Sequence, residues 1–251
     1  MFESGDEHAQ CNLPGSRALE ELRRLDRAGD RNGAHAGDGP RDSGEYLQRE
    51  FWLKRPFDVA LATVALLVSA PFWLICALAI WLEDGGRVFH VQERWGKGKK
   101  RITVWKFRTM IDGADSWGGS VQARPDDPRV TRFGRWLRAT SLDELPQILS
   151  IWWGDMSWVG PRALPINEVQ VNEAAPVPDQ AIPGFDLRCR VRPGLTGVAQ
   201  IYAPRDIRRR EKFRYDRIYI RRQSLWLDLR LIALSFWITL RGRWEYRGRK
   251  F

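Results

Sequence analysis

The stretch Ser141-Leu142-Asp143-Glu144-Leu145-Pro146-Gln147 sets two adjacent carboxylates between an arginine-rich approach (Arg129, Arg132, Arg135, Arg138) and an apolar run ending in Trp152-Trp153. A charged focus beside an apolar surface suits work on an anionic ligand. Ser141 followed three residues later by Glu144 is also a capping-box pattern, and acidic residues favour the first turn of a helix, where backbone N–H groups are unpaired. Capping and chemistry are therefore both open from these residues alone. Cys11, Cys76 and Cys189 lack paired spacing and His8, His35 and His90 are scattered, so no disulfide framework, zinc site or His-rich metal site is indicated. A metal here would have to be held by oxygen ligands, which points to Mg2+.

Other charged residues recur at suggestive spacings. Lys106-Phe107-Arg108-Thr109-Met110 has two cations two residues apart, which an extended backbone sets on one face; a solvated strand edge has the same pattern. Gly154 to Arg162 reads as a turn-rich connector presenting Asp155 and Arg162. Arg188 to Ile201 reads as a strand-like piece broken by Pro193-Gly194 and Gly197, whose glycines either let backbone approach a ligand or make ordinary turns.

These side chains need elements to position them. Residues 1–48 mix Gly, Asp, Arg, Ala and Ser with few large apolar side chains, too few to offset the entropy of ordering, and read as a disordered tail without a signal peptide. Val59 to Leu82 is a run of 24 residues without a charge. As a helix it would be roughly 36 Å long, enough to cross a hydrocarbon core of about 30 Å. Pro71 at its middle removes a backbone hydrogen bond and clashes with the preceding turn, so a sharp kink is expected. A plain transmembrane helix thus competes with two half-helices that enter one leaflet and return. Lys54 and Arg55 before the run, and Arg94, Lys97, Lys99, Lys100 and Arg101 after it, favour the returning geometry.

Arg87 to Trp105 alternates around Gly96-Lys97-Gly98-Lys99-Lys100 as a hairpin. Thr131 to Arg138 has helical spacing, and so do Leu145, Ile148, Leu149 and Trp152, in a helix starting around Ser141 to Asp143 with Pro146 near its first turn. Arg205 to Gly242 holds one long helix or two, whose apolar run Leu231 to Leu240 is too short to span and lies in the membrane interface or in the core. The net charge of +10 belongs to the folded part, since the first 50 residues are net acidic, and it suits phosphates, lipid headgroups or nucleic acid.

Several motifs follow one another in order. They are Lys54-Arg55-Pro56-Phe57-Asp58, Gln92-Glu93-Arg94-Trp95-Gly96, Lys106 to Met110, Asp127-Pro128-Arg129-Val130-Thr131 and Ser141 to Gln147, then Gly154-Asp155-Met156-Ser157, Val159-Gly160-Pro161-Arg162 and Arg192-Pro193-Gly194-Leu195-Thr196-Gly197. With them the chain resembles the bacterial sugar transferases, or monotopic phosphoglycosyl transferases, over about residues 53–242. The resemblance implies transfer of a sugar 1-phosphate from a UDP-sugar to undecaprenyl phosphate at the cytoplasmic face of the bacterial inner membrane. UMP is released, and the product opens a lipid-linked glycan. It also implies a re-entrant helix-break-helix hinged at Pro71, Asp143 as a nucleophile forming a phosphoryl-aspartate, and Glu144 as a Mg2+ ligand. Lys106, Arg108, Arg138, Arg162, Arg192, Gln200 and Arg205 become candidates for holding the substrate, and Asp155 a second Mg2+ contact or a salt-bridge partner. The chain departs from the family pattern at Ala70 before the hinge proline, Ala163 after Gly-Pro-Arg and Val198 after Thr-Gly.

The expected fold is α+β and mostly α. A disordered tail (1–48) precedes one membrane-embedded catalytic domain (49–251), with its re-entrant segment at about 56–83, a small β-hairpin and interfacial amphipathic helices. The expected partners are UDP-sugar, undecaprenyl phosphate and inner-membrane lipids, with no nucleic acid and with a homodimer left open. One rival is a non-catalytic bitopic membrane anchor whose basic domain binds nucleic acid or anionic lipid; it leaves the Asp143-Glu144 pair unexplained. A second keeps the enzyme but has the dyad activate the lipid phosphate for direct attack.

Overall fold

A computed structural model describes residues 51–114, 127–166, 177–203 and 207–244; the expectations for the tail and for Arg205 fall outside the described residues. The apolar run forms one helix, α1 (Lys54–Asp84), continuous through Pro71. The expected break into two half-helices is therefore corrected. Proline fixes φ at a helix-compatible value and deletes a single ladder bond, and the Ala- and Leu-rich turns on either side carry the helix past it. Gly85, at φ 69° and ψ 1°, ends α1.

The buried positions of α1 fall into two groups, Lys54, Asp58 and Ala62 near its start and Cys76 and Ile80 near its end. Within each group the spacing of four keeps them on one face. Between the groups Leu67, Val68, Leu74 and Ile75 are 60 to 76 % exposed. Both ends of α1 are tied to one body. Lys54 Nζ donates to Asp228 Oδ2 at 2.6 Å, while at the far end Glu83 accepts the backbone N–H of Arg132 at 2.7 Å and Asp84 pairs with Arg108.

β1 (Phe89–Trp95) and β2 (Arg101–Phe107) form the expected antiparallel hairpin, in register from Phe89↔Phe107 to Trp95↔Arg101. Its period of two buries Ile102 and Val104 and sets Lys106 on their face, with His90, Gln92 and Arg94 as the cross-strand neighbours.

α2 (Arg132–Thr140) and α3 (Gln147–Trp153) flank the acidic pair, joined through Ser141 and a single 3-10 turn, Leu142–Glu144. The expected helix start at Ser141 to Asp143 is corrected here. Ser141 instead closes α2 in the left-handed region, at φ 57° and ψ 19°, and its side chain caps nothing. Pro146 has no N–H to return to Leu142, so the chain closes a 3-10 turn through Leu145 N–H and Leu142 O before α3 begins.

The sequence pattern does not predict the second, parallel sheet of β3 (Ser157–Val159) and β4 (Gly194–Thr196). Its glycines serve backbone against backbone rather than a ligand: a Cβ on Gly194 would meet Gly160 N at 2.1 Å. After the short α4 (Phe185–Arg188) and α5 (Val198–Tyr202), the C-terminal stretch resolves into α6 (Arg209–Arg222) and α7 (Leu225–Leu240). α7 buries Leu231, Ile232 and Ile238 and exposes Trp226, Phe236, Trp237 and Leu240, so its apolar run serves both core and surface. Tyr219 Oη, from α6, lies 2.9 Å from Val159 O and 3.0 Å from Asp228 Oδ1, joining α6, β3 and α7 around the Lys54 anchor.

Candidate active site

The 3-10 turn between α2 and α3 delivers two carboxylates into the interior, with Asp143 9 % and Glu144 7 % exposed. Buried carboxylates require partners. Lys106 Nζ, from β2, donates to Glu144 Oε1 at 2.5 Å and lies 3.7 Å from Asp143 Oδ2. Arg162 Nη2, just beyond β3, donates to the same Glu144 oxygen at 2.7 Å.

The two carboxyls are pushed apart. Burial raises Asp143 above the usual carboxylate range; Lys106 opposes this and the repulsion of Glu144 adds to it. Burial also works against ionised Glu144, but Arg162 and Lys106 together outweigh it and hold this carboxyl well below its ordinary value. Lys106 is itself lowered, because burial outweighs the attraction of Glu144 and Asp143. The site therefore holds one firmly ionised carboxylate beside one whose charge is costly and so more reactive.

The dyad forms part of the wall of a cleft of about 850 Å³ in which lysines and arginines outnumber carboxylates. Lys106, Arg108, Arg138, Arg162 and Gln200 all line it, as expected for a polyanion site. They are not equivalent. Arg138 Nε is fixed by Thr109 Oγ1 at 2.8 Å, and Gln200 Nε2 donates to Leu195 O at 2.8 Å. Arg108 is paired with Asp84 and lies 3.7 Å from Asp112, so its charge is already matched at the end of α1. Arg192 does not line this cleft, and its Nε donates to Gly154 O at 2.8 Å, at the end of α3. Asp155 is exposed and also away from the cleft.

Two site residues escaped the sequence reading. Arg94 is buried, donating to Ala163 O at 2.6 Å and Gln92 Oε1 at 2.8 Å, and its charge acts on both Lys106 and Glu144. Arg188 is buried against Asp216 Oδ2 at 3.1 Å, donates to Arg162 O at 2.6 Å and lies over the Phe213 ring at 4.6 Å. These arginines brace consecutive carbonyls, 162 and 163, at the residue that reaches Glu144. The signal for Arg94 was its hairpin register, opposite Ile102 and on the face of Lys106.

The sequence profile described as bacterial sugar transferase matches residues 49–242, most of the chain and every described site residue. The chain belongs to the bacterial sugar transferase family. Among the relatives of this sugar transferase, the exopolysaccharide production protein PSS of Rhizobium leguminosarum bv. phaseoli is 39% identical over 185 residues, 72% of this chain and 91% of that protein. The exopolysaccharide production protein ExoY of Rhizobium meliloti (strain 1021) is 35% identical over 222 residues, 82% of this chain and 94% of that protein. The UDP-glucose:undecaprenyl-phosphate glucose-1-phosphate transferase of Escherichia coli (strain K12) is 42% identical over 188 residues. The match covers 73% of this chain but 39% of that transferase.

Proposed function

We propose that this sugar transferase moves a sugar 1-phosphate from a UDP-sugar to undecaprenyl phosphate and releases UMP, through a phosphoryl-aspartate on Asp143. The observation that carries the reading is the buried Asp143-Glu144 pair, matched by Lys106 and Arg162 on the wall of a cation-lined cleft. The printed names of relatives, such as UDP-glucose:undecaprenyl-phosphate glucose-1-phosphate transferase, support the substrate classes.

In the first step an Asp143 oxygen attacks the β-phosphorus, an O–P bond forms, and the bond to the bridging oxygen breaks with its electron pair leaving on UMP. In the second, an oxygen of undecaprenyl phosphate attacks the same phosphorus and the Asp143 carboxylate is regenerated. Burial strips Asp143 of hydration and makes its ionised form more reactive, while Lys106 keeps that form accessible. Both steps bring an anion to an anionic phosphorus, so the cations do most of the catalytic work: Lys106, Arg138 and Arg162 hold the phosphates, and Lys106 follows the charge.

Mg2+ fits this donor set as a companion of the diphosphate. Two adjacent carboxylates on the wall of a cation-lined cleft suit an ion that takes its remaining ligands from water and substrate phosphates. Glu144 would hold it beside Asp143, and when bound it supplies charge neutralisation at the diphosphate.

The exposed middle of the unbroken α1 beds into one face of the membrane without crossing it. Its Lys54 and Asp84 ends are bonded to the same body, which a helix with ends on opposite membrane faces does not allow. The exposed Trp81, Trp226 and Trp237 are suited to the lipid–water boundary. The body faces the cytoplasm, where UDP-sugars are found, and the product feeds exopolysaccharide synthesis.

The test uses purified protein in nanodiscs with undecaprenyl phosphate and a series of UDP-sugars, UDP-glucose first, with UMP release as the readout. Asp143→Asn should release no UMP above background; full activity would remove the nucleophile assignment. Without acceptor, label from the β-phosphate of the UDP-sugar should remain on wild-type protein and be absent from Asp143→Asn.

A further inference from the structure

The helix–turn–helix that carries the dyad is held at its two outer ends by the two ends of α1. At the start of α2, Glu83 accepts the N–H groups of Arg132 at 2.7 Å and Phe133 at 3.3 Å, donors that a first turn leaves unpaired. At the finish of α3, Arg55 donates through Nη1 to Ile151 O at 2.6 Å and through Nη2 to Trp152 O at 2.7 Å, acceptors that a last turn leaves unpaired. Each charge also has the sign favoured at its helix end. Neither Arg55 nor Glu83 lines the cleft. Between the two held ends lie Ser141, a non-glycine residue at φ 57°, and the 3-10 turn that presents Asp143 and Glu144. A left-handed serine persists where its surroundings over-determine it.

We propose that Arg55 and Glu83 are positioning residues, and that α1 is a strut fixing the separation between the start of α2 and the finish of α3. That separation sets the turn holding Asp143 and Glu144 against Lys106 and Arg162. Through its two end contacts, the lipid-facing helix governs the geometry of the nucleophile. The kinetic half of this inference rests on the proposed transfer reaction; the structural half stands apart from it.

The contrast with ordinary capping is sharp. Two independent caps would each stabilise their own helix and their losses would add. Two ends of one strut would not add, because releasing either end releases the constraint.

The experiment uses the full chain in nanodiscs, with Arg55→Ala, Glu83→Ala, the double variant, and Glu83→Gln, which keeps one acceptor oxygen. One arm measures kcat and KM for UMP release, normalised to folded protein. The other measures hydrogen exchange at the amides of Glu144 and Leu145, which bond Ser141 O and Leu142 O at 3.2 Å, against the amides of the β1–β2 hairpin. Each alanine variant should lower kcat about tenfold with KM nearly unchanged, since a small misplacement of reacting groups is costly. Exchange should rise in the turn and not in the hairpin, the double variant should be no worse than the worse single one, and Glu83→Gln should recover most of the rate. Additive losses, uniformly faster exchange, or an unchanged kcat would overturn the strut. If wild-type protein releases no UMP from any UDP-sugar, the proposed reaction fails, and the exchange arm still decides for or against the strut.

Discussion

Replacing Lys106 with Met removes an ammonium that serves both carboxylates while keeping an unbranched apolar chain in the strand. In the native site Nζ lies 2.5 Å from Glu144 Oε1 and 3.7 Å from Asp143 Oδ2. At the longer distance and an effective dielectric of about 20, its attraction to the Asp143 carboxylate is roughly 4.5 kcal/mol. Arg162 does not replace it, because its bond goes to Glu144. About 1.4 kcal/mol is a factor of ten in rate, so the ceiling on the loss is on the order of a thousandfold. Water entering the space left by the ammonium recovers part of this, and we expect a loss of about a hundredfold in kcat/KM near neutrality. The sign of the pH effect is fixed as well. Asp143 is already raised by burial and loses its strongest opposing charge, so the acid limb of the kcat/KM profile should move to higher pH. The assay is UMP release from UDP-glucose over a range of pH. A variant within about threefold of wild type, with an unmoved acid limb, would refute the assignment of Lys106 as the charge that keeps Asp143 ionised.

The wild-type profile should itself be bell-shaped. In the proposed transfer Asp143 attacks as the carboxylate and is raised by burial, so its limb should lie above the ordinary carboxylate range; Lys106 acts in its protonated form and is lowered by burial, so the alkaline limb should come before that of an ordinary lysine. An acid limb in the ordinary aspartate range would contradict the buried nucleophile. Tyr219→Phe removes the hydroxyl shared by Val159 O and Asp228 and should cost about 1–2 kcal/mol, seen as a Tm lower by about 2–8 °C. An unchanged Tm would show that this hydroxyl does not help to hold the Lys54 anchor.

Much of the fold was legible where a period was long enough to be read. The hairpin shows in Ile102 and Val104 across a Gly- and Lys-rich turn, α1 in its charge-free run, and α6 and α7 in their apolar spacing. Ser141 was misread because Ser-x-x-Glu fits a capping box as well as it fits a left-handed residue followed by a 3-10 turn. The deciding atom is the N–H that Pro146 lacks, which leaves Leu142 O to Leu145. β3 and β4 have three residues each, too few for any period, and pair over a wide sequence separation that local patterns do not encode.

At the site, the carboxylates were legible and their counter-charges were not. A basic chain offers many cations, and Lys106, Arg108, Arg162 and Arg192 all sit in comparable motifs. Long-range pairing sorts them. Asp84 takes Arg108 and Gly154 O takes Arg192, whereas Lys106 reaches the dyad because Ile102 and Val104 fix the register of its strand, and a slip of one residue would turn it outward. Arg162 reaches Glu144 from a backbone whose own carbonyl is held by Arg188, with Arg94 holding the next. Arg188 is in turn spoken for by Asp216, and Arg209 by Asp179, so these arginines on the cleft wall are balanced by fixed acids. Lys106 and Arg162 are balanced by the dyad itself. In the proposed transfer Asp143 gives up its charge to the phosphorus, and Lys106, 3.7 Å from Asp143 Oδ2, is the cation placed to follow that charge, while Arg162 stays with Glu144.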